Sequence, residues 1–447
     1  MSTIRNTAEL EAFFHDAGKP REQWRVGTEY EKVGIDRKSA KAIPYSGRRG
    51  VEFILRELVD AYGWEPVEQD GHIIELVRDK AQINLEPGGQ IELSGEPCES
   101  IHCTHNEFTR HIRELLQVAE KLDVVFLGLG MQPVSRVDEI EWVPKKRYRI
   151  MAPYMLKVGT LGHRMMKQTA TVQANIDFSD EKDAMAKFRV GMGLTPLVIA
   201  MFANSPISEG QLNGYRSFRE HIWTDTDKNR SGLLKFAFLP DVSFAHYVEY
   251  ALDVPMYFII RNGDYIDMTG IPFRHFMERG HNGQYATMED WATHLTTLFP
   301  ETRIKRYIEI RSADSQPPEL MPALPALIKG VFYDSDCLLA AWDLVKGWSW
   351  DERMQVYLDS HREALAARIR RYALLDLAKE LLQIAWEGLR RQNALNEIGQ
   401  DETIYLDPLK TLVLQGKCPA DLLVEKWEGE LQQNIAKLIA YTAYKLP

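Results

Sequence analysis

Carboxylate side chains recur at alternate positions in two segments of the sequence. In RVGTEYEKVG, Glu29 and Glu31 are two residues apart and would share one face of a β-strand, opposite a less polar face. In INLEPGGQIELSG, Glu86 and Glu92 flank a Pro-Gly-Gly sequence, which predicts a turn or a sharp bend. The spacing gathers oxygen ligands, which hard cations prefer, on strand faces.

Two further segments repeat this alternation. TATVQANID places Thr171 and Gln173 on a polar face, and RYIEIRS places Tyr307, Glu309 and Arg311 on another. Four strands with one apolar and one polar face predict an antiparallel sheet. Its apolar side would pack on helices and its polar side would line a wet cleft.

Five carboxylates on one concave face would repel one another strongly unless cations neutralised them. A single carboxylate on a strand is commonly solvent-exposed, so the interpretation depends on the repetition of the pattern. Mg²⁺ is the cation expected, because it is hard and binds through a few carboxylates together with substrate phosphates.

The composition is that of a globular protein. The 447 residues predict one large domain or two closely joined domains, and 45% hydrophobic with 26% charged residues excludes disorder as the main state. The net charge of -10 argues against a nucleic-acid partner. The polar start and the lack of an obvious 18-residue apolar run predict neither secretion nor a membrane span, so a cytoplasmic protein is expected.

The cysteines show no CxxC pair and no zinc spacing, so all four are expected to be reduced thiols. They are Cys98, Cys103, Cys337 and Cys418.

Helices are predicted over residues 7–17, 49–62 and 101–122, and a tight turn at Asp70-Gly71. A helix that contains Pro196 is expected to be kinked or buried. After Lys329 the chain is predicted to be helical to its end, and its leucine stripe is typical of core packing.

Two polar segments are candidates for binding. Residues 142–164 are basic and could hold phosphates or a substrate carboxylate, although a solvated surface is the simpler interpretation. Residues 214–232 are dense in arginine and aspartate and are predicted to form a binding loop. The sequence has no Walker motif, no GxGxxG before a helix and no convincing GxSxG, so neither a glycine-rich phosphate loop nor a serine nucleophile is expected.

Taken in order, GTEYEKVG, LEPGGQIELSG, VGTLGHRMMKQTATVQANIDF, FREHIWTDTDKNRSG and HLTTLFPETRIKRYIEIRSAD resemble the glutamate–cysteine ligase family of the plant and proteobacterial type. The resemblance covers nearly the whole chain. It implies an α+β, glutamine-synthetase-like fold, in which a curved antiparallel sheet forms a funnel with helices packed behind it. Residues 1–345 would form the catalytic domain, and residues 346–447 a helical C-terminal region packed on it.

The implied reaction joins the γ-carboxylate of L-glutamate to the amine of L-cysteine. ATP would phosphorylate the carboxylate, and γ-glutamylcysteine, ADP and phosphate would be the products of this first step of glutathione biosynthesis. Such a site needs positioning and charge neutralisation rather than a protein nucleophile. The resemblance therefore implies Mg²⁺ and ATP as cofactors and a cytoplasmic monomer or homodimer, without nucleic-acid or membrane partners.

Position in the family motifs also implies roles for single residues. Arg311 would neutralise the transferring phosphoryl group, and Arg219 would hold a substrate carboxylate or the acyl phosphate. Arg147, Thr171 and Tyr257, together with Arg219, would bind the amino-acid substrates. The metal ligands would be Glu29, Glu31, Glu86, Glu92, Gln173 and Glu309.

The sequence departs from the plant pattern in two respects. The principal cysteine positions of the plant redox switch correspond to His105 and Pro322, so that switch is expected to be absent. The first family motif begins within 30 residues of the start, so no chloroplast transit peptide is expected. A bacterial cytosolic enzyme is the simplest interpretation.

Three alternatives remain. A γ-glutamyl ligase for another amine would share the glutamate and nucleotide sites, and only its second-substrate pocket would differ. A catalytically silent sensor would be expected to have lost some of the acidic residues or Arg311, and none is lost. A scaffold with a polar sheet face would bury unpaired carboxylates without compensation.

Overall fold

The computed structural model describes residues 3–445, and its centre is a nine-stranded sheet in which all pairings are antiparallel. The strands run in the order β8-β9-β7-β1-β5-β4-β3-β2, and β6 pairs with the far end of β1. They are β1 (Val26–Asp36), β2 (Glu65–Gln69), β3 (His72–Arg78), β4 (Ala81–Leu85), β5 (Ile91–Ser94), β6 (Val124–Leu127), β7 (Thr171–Ile176), β8 (Thr302–Ile304) and β9 (Ile308–Asp314).

Seventeen α-helices lie within the described residues. They are α1 (Thr7–His15), α2 (Val51–Tyr62), α3 (Ile101–Lys121), α4 (Lys146–Val158), α5 (Gly162–Gln168), α6 (Glu181–Phe202), α7 (Phe218–Trp223), α8 (Phe244–Asp253), α9 (Phe273–Arg279), α10 (Met288–Thr296), α11 (Ala323–Phe332), α12 (Ser335–Val345), α13 (Trp350–Glu363), α14 (Leu374–Gln392), α15 (Asp407–Leu414), α16 (Pro419–Glu428) and α17 (Ile435–Thr442).

The apolar side of the sheet packs on helices, as the alternating pattern predicts. In β7, Val172, Ala174 and Ile176 are fully buried, and β7 and β9 contact α11 and α6, respectively. At the other end of the sheet, α2 packs on β3 and α3 on β6. The polar side is thereby left free to line a cleft.

Local signals in the sequence set several element ends. Helix α2 ends at Gly63, whose left-handed φ of 69° suits glycine. The β2–β3 hairpin turns through Asp70 and Gly71, with φ of 51° and 79°, which confirms the predicted tight turn. Helices α1, α2 and α3 lie within the ranges predicted for them.

Helix α6 corrects the expectation that the sequence contains no 18-residue apolar run. It is long and apolar enough to cross a membrane by length and composition, although no such run was evident from the sequence. Of its most apolar window, 89% is buried inside the fold, as in the core helix of a soluble protein. Pro196 lies within this buried helix.

The C-terminal helices extend the same hydrophobic core as the sheet. Helix α11 packs closely on α14, and a Cβ placed on Gly388 would lie 1.8 Å from the carbonyl oxygen of Gly330. The predicted domain boundary at residue 345 coincides with the end of α12. Both sides of that point share one core, so the division into two domains stays a prediction.

The expectation of four reduced thiols is wrong for one pair. Cys98 and Cys103 form a disulfide, with their Cα atoms 5.8 Å apart, whereas Cys337 and Cys418 are free and buried. Cys98 pairs with Val26 through main-chain hydrogen bonds, and Cys103 lies in the first turn of α3. The disulfide therefore links the end of the β5 segment to the start of that helix.

Candidate active site

The polar faces of the strands line one cavity of about 680 Å³. It receives side chains from β1, β4, β5, β7, β8 and β9 and from the segment before α4. The sequence-predicted residues in its wall are Glu29, Glu31, Glu86, Glu92, Arg147, Thr171, Gln173, Arg219 and Arg311.

Three carboxylates converge in this cavity. Each of Glu31, Glu86 and Glu92 offers an oxygen, and these oxygens lie within 4.8 Å of one another. The register explains the approach, because Glu31 of β1 stands directly opposite Glu92 of β5. The polar face predicted from alternation therefore brings like charges into contact.

The turn between β4 and β5 delivers the third carboxylate. Glu86 follows β4, and its N–H donates to the carbonyl of Gln90 at 3.0 Å, which closes the turn. Gly89 has a φ of 84°, and a Cβ on Gly88 would lie 2.3 Å from the carbonyl oxygen of Lys167. Both glycines are required, one by backbone conformation and one by close packing, as the Pro-Gly-Gly sequence indicates.

The convergence makes ionisation of the carboxylates unfavourable. Burial, then the charges of Glu86 and Glu92, raise the pKa of Glu31 well above its ordinary value. Burial and Glu86 likewise raise the pKa of Glu92. The Thr171 N–H donates to Glu31 at 2.9 Å and the Ser94 hydroxyl donates to Glu92 at 2.5 Å, so each carboxylate is held in place.

Two further predicted acidic ligands differ in their surroundings, because Glu29 lines the cavity whereas Glu309 lies outside its wall. Glu309 is fully buried and ion-paired to Arg303, Lys305 and Arg311. Burial opposes its ionisation, but these three cations outweigh burial and hold the pKa of Glu309 well below its usual value. Burial and the charges of Glu309 and Glu92 instead raise the pKa of Glu29 to about 7.

Arg311 is oriented by two of the predicted metal ligands. Its Nη1 donates to Gln173 Oε1 at 2.7 Å and to Glu309 Oε2 at 3.2 Å. Glu309 and Gln173 thus contact a guanidinium and lie outside the convergent group of three carboxylates. The hydroxyl of Thr171, predicted to bind substrate, donates to the carbonyl of Ala313 at 2.6 Å.

Arg219 lines the cavity from helix α7. Its guanidinium donates to the Glu220 carboxylate and, at 3.1 Å, to the carbonyl of Arg311. Helix α7 lies within the segment 214–232, so the prediction of a binding loop there is wrong in part. Asp227 and Arg230 of that segment form a fully buried ion pair at 2.7 Å with a structural role.

The basic segment divides between the cavity and the surface. Lys145 and Arg147 line the cavity, whereas Arg149 and Lys157 are exposed on α4. Burial and the charge of Arg147 lower the pKa of Lys145 to about 8. The surface explanation therefore holds for Arg149 and Lys157, and binding by Lys145 and Arg147 stays a prediction.

The structure does not bring Tyr257 to the cavity. Its hydroxyl points to the sulfur of Met155 at 3.7 Å, and the Arg230 guanidinium lies 3.9 Å from its ring centre. Phe258, the next residue in the chain, lines the cavity together with Tyr265. Successive residues of an extended segment point to opposite sides, which explains why Phe258 lines the cavity and Tyr257 does not.

Two cavity residues, Arg303 and Lys305, were not predicted although the sequence carries a signal for them. Arg303 and Lys305 precede Tyr307 at alternate positions, so continuing the pattern backwards through TRIKRYIEIRS predicts them. The polar row therefore begins four residues earlier than the RYIEIRS segment suggested.

The convergent carboxylates fit a divalent cation. Hard cations bind carboxylate oxygens, and the raised pKa values of Glu31 and Glu92 show that these groups lack sufficient compensating charge. Within the described residues, this is the one group of three His, Cys, Asp or Glu side chains with ligand atoms so close together. The donor set is of the type that Mg²⁺ prefers.

Comparison with known proteins gives a consistent result. The model of glutamate–cysteine ligase family 2 matches residues 25–437. The chain is 42% identical over 430 residues to glutamate–cysteine ligase B, chloroplastic, of Oryza sativa subsp. japonica, covering 96% of this chain and 85% of that protein. It is equally identical to glutamate–cysteine ligase, chloroplastic, of Arabidopsis thaliana, covering 96% and 81%.

A solved structure supports the fold. The glutamate–cysteine ligase of Francisella tularensis in complex with AMP aligns with a TM-score of 0.53 and 13% identity, over 95% of this chain and 90% of that one. This likeness confirms the predicted α+β, glutamine-synthetase-like fold class.

The relatives contradict the predicted cytoplasmic location. The ligases from Oryza sativa, Brassica juncea and Arabidopsis thaliana carry names that place those proteins in chloroplasts. The predicted family is confirmed by the match along nearly the whole chain and by identity above 40%. The chain belongs to glutamate–cysteine ligase family 2.

Proposed function

We propose that the cavity joins the γ-carboxylate of glutamate to the amine of cysteine, with ATP as phosphoryl donor and Mg²⁺ as the bound cation. The observation that carries the proposal is the convergence of Glu31, Glu86 and Glu92 in a cavity whose walls also hold Lys145 and Arg219. Family membership supports it, because the curated relatives are named glutamate–cysteine ligases.

The chemistry needs activation of a poor electrophile. One oxygen of the γ-carboxylate attacks the γ-phosphorus of ATP, and ADP leaves. The cysteine amine then attacks the acyl carbon, loses a proton and expels phosphate, which keeps the former carboxylate oxygen. Positioning and charge neutralisation can drive both steps, so the absence of a serine-type motif is consistent with the reaction.

We assign the cation to Glu31, Glu86 and Glu92, with Glu29 nearby. When bound, Mg²⁺ neutralises phosphate charge and orients the phosphoryl group. Arg311, held by Glu309 and the amide of Gln173, neutralises the transferring phosphoryl group in this proposal. This role explains why these two predicted metal ligands face a guanidinium.

Arg219 is assigned to the acyl phosphate. Arg219 lines the cavity from α7 whereas its partner Glu220 does not, and this proposal directs the planar cation toward the reacting groups. Arg147 and Lys145, at the end nearest Glu86 and Glu92, are placed to receive a substrate carboxylate.

The test is phosphate release from Mg²⁺–ATP and glutamate with a panel of amines as second substrate. We expect cysteine to be strongly preferred and the product to be a γ-linked thiol dipeptide. Preference for another amine would retain the ligase chemistry and refute the assignment of cysteine. Reactions without glutamate give the background of ATP hydrolysis.

A further inference from the structure

The start of helix α7 is held by the C-terminal helices. The main-chain N–H groups of Arg216 and Ser217 both donate to the carbonyl of His361 in α13, at 3.0 and 2.9 Å. Arg216 Nε also donates to Asp421 Oδ1 of α16 at 2.6 Å. Two separate C-terminal helices therefore contact the residues that precede Arg219 by two and three positions.

The start of helix α7 is also hydrogen-bonded to the sheet. The hydroxyls of Ser217 and Ser205 donate to the two oxygens of Asp314, at 2.8 and 2.7 Å, and the Arg219 N–H donates to Ser205 Oγ at 3.1 Å. Asp314 ends β9, three residues after Arg311. Helix α7 is thus fixed between the strand that carries one cavity arginine and the helices of the C-terminal region.

Helix α13 reaches the second arginine as well. Tyr357 donates its hydroxyl to Glu301 at 2.6 Å, and the carbonyl of Glu301 accepts the N–H of Arg311 at 3.1 Å. Arg362, at the end of α13, donates to the hydroxyl of Tyr215 at 3.0 Å. The C-terminal region therefore contacts residues that neighbour Arg219 and, through Glu301, the backbone of Arg311.

We propose that the C-terminal helices position Arg219 for catalysis, with Arg216 and Asp421 as positioning residues. The inference rests on the proposed function, in which Arg219 stabilises the acyl phosphate. Neither Arg216 nor Asp421 lines the cavity, so both act through the placement of α7.

The physical reason lies in the length of α7. It has six residues, and helices shorter than about 12 residues are marginal without tertiary support. A displacement of about 1 Å in a catalytic group can cost about a hundredfold in rate. The contacts that the sheet and the C-terminal helices make with the start of α7 therefore decide where the Arg219 guanidinium lies.

The test compares Arg216→Gln and Asp421→Asn with a control in the same helix. Glu425→Gln removes the ion pair with Lys417 at 2.7 Å, which does not involve α7. We expect both test variants to lower kcat about tenfold, with KM for ATP little changed, and the control to match wild type. Arg216→Lys should recover part of kcat, because it keeps a cation beside Asp421.

A double-mutant comparison separates positioning from loss of fold. In an Arg219→Ala background, Arg216→Gln and Asp421→Asn should cost no further activity, whereas a general structural defect would lower activity by the same factor again. Asp421 also caps α16 by accepting the Cys418 N–H at 3.0 Å, so Asp421→Asn could prevent folding. In that case the result for Arg216→Gln alone tests the inference.

The inference is overturned if Arg216→Gln keeps the wild-type kcat, or if its loss is undiminished in the Arg219→Ala background. Wild-type kinetics of Arg219→Ala alone would instead refute the role proposed for that arginine, and the inference with it. The single variants therefore distinguish the two failures.

Discussion

Replacing Glu92 by Gln removes one of three carboxylates that repel one another and one proposed Mg²⁺ ligand. Two unit charges 4.8 Å apart repel by about 3.5 kcal/mol at an effective dielectric constant of about 20. Gln keeps the oxygen that accepts the Ser94 hydroxyl. We therefore expect the Tm of metal-free Glu92→Gln to equal or exceed that of the metal-free wild type, although the variant lacks a buried carboxylate of the site.

The response to Mg²⁺ should change in the opposite direction. A ligand at a hundred times its Kd stabilises the fold by about 2.7 kcal/mol. With an unfolding entropy of about 2.1 cal/mol/K per residue, this raises the Tm of a 447-residue chain by about 3 °C. Wild type should show this rise, and Glu92→Gln should not.

The assay is thermal unfolding in EDTA and in excess Mg²⁺. Glu75→Gln is the matched control, because Glu75 lines the same cavity but lies outside the convergent group. It should keep the wild-type response. The reasoning is refuted if metal-free Glu92→Gln is clearly less stable than wild type and still gains about 3 °C with Mg²⁺.

Three further predictions follow from the charges and packing of the cavity. Because the pKa of Glu29 is raised to about 7, its protonated form stabilises the metal-free fold at low pH, and this contribution is lost as the pH rises through 7. Urea unfolding should therefore show Glu29→Gln more stable than wild type by about 3 kcal/mol at pH 8 and nearly equal at pH 4; the same difference at both pH values would contradict it. Glu309→Gln leaves three buried or nearly buried cations without their shared carboxylate and should lower the free energy of unfolding by about 3 kcal/mol or more in urea; an unchanged value would refute the ion-pair account. Tyr257→Phe should leave KM for cysteine unchanged in steady-state kinetics, whereas Phe258→Ala should raise it, because only Phe258 lines the cavity; the reverse result would restore Tyr257 to the pocket.

Much of the site could be predicted because a β-strand converts sequence alternation directly into a shared face. Glu29, Glu31, Gln173 and Arg311 were placed on the polar side by spacing alone, and the structure puts them in one cavity wall. The same rule, applied further along TRIKRYIEIRS, also predicts Lys305. Alternation shows which side of the sheet a side chain faces, because the pleat of a β-strand repeats every two residues.

Alternation does not predict the distances between side chains on different strands. Register, which depends on pairing between distant segments, puts Glu31 opposite Glu92, but it directs Glu309 toward cations. The partners of Glu309 come from a neighbouring strand and from its own. A list of acidic residues therefore cannot by itself separate a metal ligand from a counter-ion.

Other differences between the expectations and the structure had equally local causes. Tyr257 and Phe258 are adjacent, so the choice between them required the direction of one side chain. The Cys98–Cys103 disulfide depends on how the chain enters α3, and its short spacing matches no familiar pairing motif. The polar segment around Arg219 resembled a loop because a six-residue helix has too little periodicity to recognise.

The most direct test of the account follows oxygen through the reaction. Glutamate labelled with ¹⁸O in its γ-carboxylate is incubated with the enzyme, Mg²⁺–ATP and cysteine, and the released phosphate is analysed by mass spectrometry. Activation through γ-glutamyl phosphate predicts that each phosphate carries one labelled oxygen. Phosphate without label, formed together with γ-glutamylcysteine, would contradict the central claim that this cavity phosphorylates the carboxylate.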